Sequence, residues 1–418
     1  MKYINLIFKR YKIYFCYFVP EQIIPYTKAF TKISMNNIKD QFLLDPSITY
    51  LNHGSFGACP RPVLENYQYW QRALEFEPVQ FITKISPAAL LTSKQALAAY
   101  IGCNCEDFFF TQNPTMAVNQ VVKSLNFQPG DEVLTTNLEY GAIDKTFDFY
   151  SKKNGFTYRK QNISLPLVSK EKFIEEFWKG YNDKTKAISL GHCTSATALV
   201  FPVKEICDRA KELGLITIID GAHIPGHIPL NLEEIQADFY TGTLHKWLLG
   251  PKGSTFLYVK KSFQDQLEPL IISWGYEALN PVKSKFLEEN EMQGTRDISA
   301  FLTAPAIMKF FQENEMDKRT AVCRKIILEQ YPEFCELLDT NPLCPVSEEF
   351  LGQMCSIPIR TDNPYQLKEV LYNDYKIEIP VMQRGNENYL RISFQVYNSL
   401  DDFEYLKETL KKLSKLLK

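Results

Sequence analysis

Ile218–Lys260 reads IIDGAHIPGHIPLNLEEIQADFYTGTLHKWLLGPKGSTFLYVK. An apolar run ends on Asp220, a turn of small residues brings His223, and a second β-rich segment delivers Thr243, His245 and Lys246 ahead of the turn Gly250-Pro251-Lys252-Gly253. In an open α/β sheet the carboxyl ends of the strands line one crevice, so these polar groups can converge on one ligand. His223 and His227 also spell H-x-x-x-H, but Pro225 between them denies the helix that would put both rings on one face. No metal site is expected there.

Working outward, short β-rich runs alternate with helical stretches. The expected strands are Phe108–Phe110, Glu132–Thr135, Ala187–Leu190, Leu215–Ile219, Phe239–Thr241 and Thr255–Val259. Between them, Val118, Val121, Val122 and Leu125 share a helical face behind an Asn113 cap with Pro114 at the first helical position, and a helix from Val203 to Leu213 leads into the Asp220 strand. Strand, helix and strand in succession mean an α/β core. The last 120 or so residues differ, with long helices (Ala304–Asn314, Thr320–Tyr331) and strands near Met354–Ile359 and Tyr389–Phe394. A final helix spaces Phe403, Leu406, Leu410, Leu413 and Leu417 on one side, behind a Ser399/Asp402 capping box. Its lysine-rich outer face reads as solvated.

The whole chain has 418 residues, enough for two or three domains, and with 45% apolar and 23% charged residues it has a globular composition. A net charge of −2 supplies no field to draw it onto nucleic acid or an anionic membrane, which leaves small neutral or zwitterionic partners. Ten scattered cysteines, only Cys103 and Cys105 close together, fit reduced thiols in a cytoplasmic compartment. Residues 1–34 stand apart: Lys2, Lys9, Arg10 and Lys12 precede the first acid, Glu21, and the apolar run Ile13–Val19 is too short to span a bilayer. They read as an organelle-targeting leader or as an extension upstream of a start near Met35.

One carboxylate and one lysine in a crevice suit pyridoxal phosphate, whose aldehyde condenses with the amine while the acid keeps the pyridine nitrogen protonated. The segment resembles the cofactor-lysine signature of the class V aminotransferases, fold-type I pyridoxal phosphate enzymes, and in particular their isopenicillin N epimerase-like branch. Three further stretches resemble that branch in the same order: Tyr50-Leu51-Asn52-His53-Gly54-Ser55-Phe56-Gly57, Gln293-Gly294-Thr295-Arg296-Asp297 and Leu390-Arg391-Ile392-Ser393. The resemblance implies a large domain with a mixed, mostly parallel sheet over residues 66–290, a smaller α+β domain over 291–418, and a segment 36–65 packed on the latter, with 1–35 an extension.

Carried over residue by residue, it implies that Lys246 is the Schiff-base lysine, Asp220 the pyridinium partner and His223 a contact to the phenolic oxygen. Thr115 with the amides of Met116 and Ala117, at a strand-to-helix turn, forms the expected phosphate cup, joined by Thr243 and His245. Tyr140 takes the place of the ring-stacking aromatic, which is histidine in many relatives, and Thr194 or Ser195 stands where an asparagine faces the cofactor. Arg391 matches the carboxylate-binding arginine, against the plainer reading of a strand-edge arginine paired with an acid. Asn52, His53 and Arg296 are expected to line the same pocket. Thr295 is expected to reach the phosphate of a neighbouring subunit in a homodimer with composite sites.

The resemblance also excludes. Desulfurases of this superfamily keep a nucleophilic cysteine shortly before the carboxylate-binding arginine, whereas here no cysteine follows Cys355. The expected activity is epimerase-like chemistry at the α-carbon of an amino-acid or peptide-like substrate. C–S lysis of cysteine or a cysteine conjugate, transamination, and a non-catalytic binding protein that keeps the fold are the alternatives.

Overall fold

The β-rich runs of the sequence come together edge to edge in a seven-stranded sheet. The computed structural model describes residues 38–417, so the leader or extension expected over residues 1–35 lies outside the described residues. A two-residue strand β1 (Thr49–Tyr50) precedes β2 (Phe108–Thr111), β3 (Glu132–Thr136), β4 (Thr157–Gln161), β5 (Thr185–Gly191), β6 (Ile216–Asp220), β7 (Phe239–Thr243) and β8 (Thr255–Val259). The large sheet runs in the order β2-β8-β7-β6-β5-β3-β4. Strands β4, β3, β5, β6 and β7 are parallel, and β8 lies antiparallel to both β7 and β2. The chain goes outward from β3 to β4 and then returns to β5 on the other side of β3. That reversal opens the crevice in which α/β folds bind ligands.

Helix Pro114–Leu125 follows β2 as its cap predicts: Asn113 Oδ1 accepts the Met116 amide at 2.9 Å, and Pro114 stands at the start. Its Val118, Val121 and Val122 pack with Phe109, Val133, Ile218, Phe239 and Leu257 in the core on that side of the sheet. Strand β4 was not expected. Its sequence TYRKQ is mostly exposed because it is the sheet's edge, where Arg159 and Lys160 guard the open backbone.

The C-terminal part forms a second sheet, β11-β12-β9, from β9 (Met354–Ile359), β11 (Val381–Arg384) and β12 (Glu387–Ser393), all antiparallel. A further short strand, β10 (Ile377–Glu378), pairs with β1 in parallel, so the N-terminal segment joins the chain's far end. Helix Met316–Leu337 is longer at both ends than its apolar spacing suggests and continues through Pro332. The last helix, Leu400–Lys412, starts with the expected Ser399/Asp402 capping box and buries Phe403, Leu406 and Leu410. Residues 39–417 pack as one compact unit.

Candidate active site

The turn after β7 carries Lys246 inward. Its Nζ lies 3.2 Å from His223 Nε2. Burial lowers its pKa to about 8, opposed by the charge of Asp220 and reinforced by that of Arg391. Asp220 closes β6; burial raises the pKa of its carboxyl, while the Ala222 amide, donating to Oδ1 at 2.9 Å, and Lys246 pull the other way. Burial first, and the charge of Lys246 next, drive His223 well below the usual histidine range, so the ring is neutral. Trp247 Nε1–H donates to His223 Nδ1 at 3.3 Å. His227 is spent on structure: Nδ1–H donates to the His223 carbonyl, Nε2 accepts the Gln353 amide, and the ring stacks on Trp247 with centroids 4.1 Å apart.

The N-terminal motif backs this lysine. His53 is fully buried; its Nε2–H donates to the Lys246 carbonyl at 3.1 Å, and its Nδ1 accepts the Tyr397 hydroxyl at 2.8 Å. Gly57, at φ +68°, has no room for a Cβ, which would stand 2.5 Å from the His245 carbonyl oxygen. Both nitrogens of His53, which is expected to line the substrate pocket, are thus occupied behind Lys246. Asn52 likewise faces its own neighbours, donating to Glu378 Oε1 and accepting from Ser55 Oγ.

Arg391 stands on β12, the middle strand of the second sheet, at 2% exposure. Nη1 donates to the Ser195 carbonyl at 2.7 Å and reaches Ser195 Oγ at 3.3 Å, Nη2 donates to Ser55 Oγ at 2.7 Å, and Nε has no partner among the described residues. None of its bonds goes to a carboxylate, which removes the strand-edge reading with a paired acid. Burial lowers its pKa to about 10. Between Thr194 and Ser195, the second faces the site: Thr194 Oγ1 is closed into its own turn with Thr197 Oγ1 and the Leu199 amide.

On the phosphate side, the amides of Met116 and Ala117 already donate to Asn113 Oδ1 and to the Asn113 carbonyl, leaving Thr115 as the member of the expected cup whose hydroxyl makes no bond among the described residues. Thr243 Oγ1 donates to the Ala222 carbonyl. His245 Nδ1–H donates to the Ser254 carbonyl at 2.9 Å, so its other nitrogen is the one left for a ligand. Tyr140, ending the loop after β3, is 50% exposed. Thr295 is exposed on the 293–297 loop, and Arg296 is used locally, donating to Gln293 Oε1 and lying over the Phe301 ring.

Two groups escaped the sequence reading. Glu139, beside Tyr140, is buried between β3 and β5, accepting from Thr136 Oγ1 at 2.6 Å and the Gly191 amide at 2.8 Å, and burial raises its pKa to about 8. Its place next to a recognised aromatic was the one available signal. Cys193 lies in an apolar cluster with Ile224, Trp247 and Met354, and burial pushes its thiol up to about 12.

A half-buried, partly neutralised lysine, a half-buried carboxylate at the next strand end, a hydroxyl at a helix start and a glycine-tight wall behind the lysine fit pyridoxal phosphate. Lys246 would hold the aldehyde carbon, Asp220 the pyridine nitrogen and Thr115 the phosphate. The aminotransferase class-V family matches residues 67–406. The chain is 30% identical to an isopenicillin N epimerase of Amycolatopsis lactamdurans, over 91% of this chain and 98% of that protein. It is 27% identical to a putative L-cysteine desulfhydrase of Oryza sativa subsp. japonica (88% and 84%) and 24% identical to a hercynylcysteine sulfoxide lyase of Schizosaccharomyces pombe (90% and 97%). The fold is shared with a cysteine desulfurase from Thermococcus onnurineus NA1, at a TM-score of 0.77 and 21% identity over 90% of this chain and 97% of that one. The chain belongs to the class V aminotransferase family and is a pyridoxal phosphate-dependent enzyme.

Proposed function

We propose that the enzyme acts at the α-carbon of an amino-acid or peptide-like substrate, with Lys246 moving the α-proton and Arg391 holding the α-carboxylate. The observation that carries this reading is the buried Arg391 guanidinium, which has no acidic partner among the described residues. A desolvated cation whose fork is only partly used is matched by a planar anion. Bound pyridoxal phosphate supplies the electron sink that makes the α-proton removable. Lys246, with its pKa lowered to about 8, is roughly one-tenth neutral amine at pH 7, far more than an ordinary lysine, and can take that proton.

Return of the proton gives epimerisation, and loss of a β-substituent gives C–S lysis. The relatives named as an epimerase, a cysteine desulfhydrase and a sulfoxide lyase support both outcomes. Persulfide chemistry is disfavoured, because Cys355 is buried within β9 and Cys193 is held as a neutral thiol in apolar surroundings. Incubation with amino acids in deuterated water should exchange the α-hydrogen of an accepted substrate. Sulfur released as an enzyme-bound persulfide without such exchange would overturn the reading.

The proposal includes a second copy of the chain. Ile272, Trp274 (87% exposed), Leu279 (97%) and Val282 form apolar surface on the segment preceding the exposed Thr295 loop, and a homodimer would cover it and bring Thr295 to the neighbouring phosphate. Light scattering showing an active monomer would refute this part. The nine described cysteines are all unpaired, in keeping with a reducing, cytoplasmic setting, and no helix among the described residues is long and apolar enough to cross a membrane.

A further inference from the structure

We propose that Arg384 is a second anion-binding position in the substrate cleft, so that the preferred substrate carries a carboxylate or another anionic group on its side chain. The inference rests on the assignment of Arg391 to the α-carboxylate. In the register of the second sheet, Arg384 is opposite Glu387 and Met382 opposite Tyr389. Directly opposed residues of an antiparallel pair share a face, and so do alternate residues of one strand. Arg384, Tyr389 and Arg391 therefore project from the same face. It is the face that meets the large sheet's crevice, since Arg391 reaches Ser195 from it.

Both arginines converge on one feature of the large sheet, the loop after β3 and the helix Gly141–Asn154 that it starts. After burial, Arg391 is influenced by Cys193, by Tyr140 at that start and by Tyr50, while Arg384 is influenced by Asp144 and Glu139, on either side of Tyr140, and by Tyr389 of its own sheet. Neither acid is free to pair with it. Asp144 is taken by Lys160 at 2.8 Å and by the Tyr158 hydroxyl at 3.0 Å, and Glu139 by Thr136 and the Gly191 amide. The Arg384 side chain, half-buried at the end of β11, makes no ion pair or hydrogen bond among the described residues, not even with Glu387 opposite it in the ladder. A partly desolvated guanidinium with its whole fork unused is a receptor for an anion from outside the chain. The Arg391 amide bonds to the Pro380 carbonyl, four residues before Arg384, so the two stations are about 13 Å apart along the strand at ~3.3 Å per residue. That spacing suits a substrate with one anion at the α-carbon and one at the end of an extended side chain, the far group being set by Arg384 and the near one by Arg391.

The test uses the holoenzyme and a series of α-amino diacids of increasing chain length, each compared with its neutral ω-amide, with Kd read from the absorbance change of the bound cofactor. Wild type should bind at least one diacid roughly tenfold more tightly than its amide, a difference of ~1.4 kcal/mol. Arg384→Gln and Arg384→Ala should abolish that preference while leaving the Kd of the amide within about twofold, and Arg384→Lys should retain part of it. An ω-sulfonate analogue bound as well as the diacid would assign the position to anions in general, and a weaker one to carboxylates. No preference in wild type at any chain length overturns the proposal. So does an equal loss of diacid and amide binding in both variants, which would make Arg384 a clamp between the sheets. If no amino acid changes the spectrum of wild type, the α-carbon reading fails and this proposal with it.

Discussion

The indole N–H of Trp247 donates to Nδ1 of His223, and on the ring's other side His223 Nε2 faces Lys246 Nζ at 3.2 Å. Indole nitrogen only donates, so Nδ1 must accept and the ring's single proton sits on Nε2. His223 is thereby a donor toward the neutral form of the lysine amine and toward any oxygen placed beside it, and it is withdrawn from service as a base. Trp247→Phe removes the constraint. Nitrogen NMR of the apoprotein should show one His223 tautomer in wild type and a mixture in the variant, and the pH at which the bound cofactor changes colour should move. A single unchanged tautomer in Trp247→Phe would mean that another contact sets the proton.

Purified enzyme should be yellow, and borohydride should fix the cofactor to Lys246, with Lys246→Ala losing both the fixed adduct and turnover. Burial lowers the lysine pKa to about 8 from an ordinary value of 10.5, so the neutral, nucleophilic amine dominates above about pH 8. Covalent capture of pyridoxal phosphate by the apoprotein should therefore reach half its maximal rate near that pH. A midpoint near the ordinary lysine value, or a wild type that stays colourless after the cofactor is added, contradicts the site.

Arg391→Ala should raise KM by roughly 100-fold, the scale of a lost charge-assisted hydrogen bond of up to ~3 kcal/mol, with a smaller effect on kcat. Arg391→Lys keeps the charge but not the fork and should recover only part of the loss. Because the guanidinium is desolvated without an acidic partner among the described residues, its removal should not lower the melting temperature of the apoprotein. A marked drop would make Arg391 a structural residue.

Glu139 links pH to stability. Its pKa, raised by burial from 4.5 to about 8, means the folded state holds a proton that the unfolded chain releases. The stabilisation is complete below about pH 4.5 and is lost as pH rises through about 8. Glu139→Gln has no such proton to lose, so the stability of wild type relative to Glu139→Gln should fall as pH rises across that window. Parallel melting curves from pH 5 to 9 would refute the assignment.

The large sheet was legible because β2, β3 and β5 to β8 are buried runs of β-branched and aromatic residues. The edge strand β4 was not, because exposure gave it the composition of a loop. Within the site, Asp220, His223 and Lys246 were readable from one continuous segment whose strands must end at the same crevice. Residues that meet through tertiary contact were harder. His53 carries a polar ring suited to a ligand, and only packing against Trp247 and Tyr397 reveals it as a brace. The Met116 amide looked available because sequence does not say whether a cap or a phosphate will claim it, and here Asn113 does. Arg384 belongs to no recognised motif, and its place on the Arg391 face follows from a register fixed only by hairpin pairing.

The pairing of Thr49 with Ile377 has a consequence for synthesis on the ribosome. The segment that braces Lys246 is among the first parts of the described chain to emerge, and its strand partner is among the last. Until β10 leaves the exit tunnel, β1 has no ladder, and until β12 follows, Ser55 has no Arg391 to meet. A nascent chain can complete the large sheet early, but it has to wait for nearly its whole length before the pocket can close. Premature termination between the end of β8 and Arg391 should therefore yield a product with an intact central sheet and no ability to grip an amino acid.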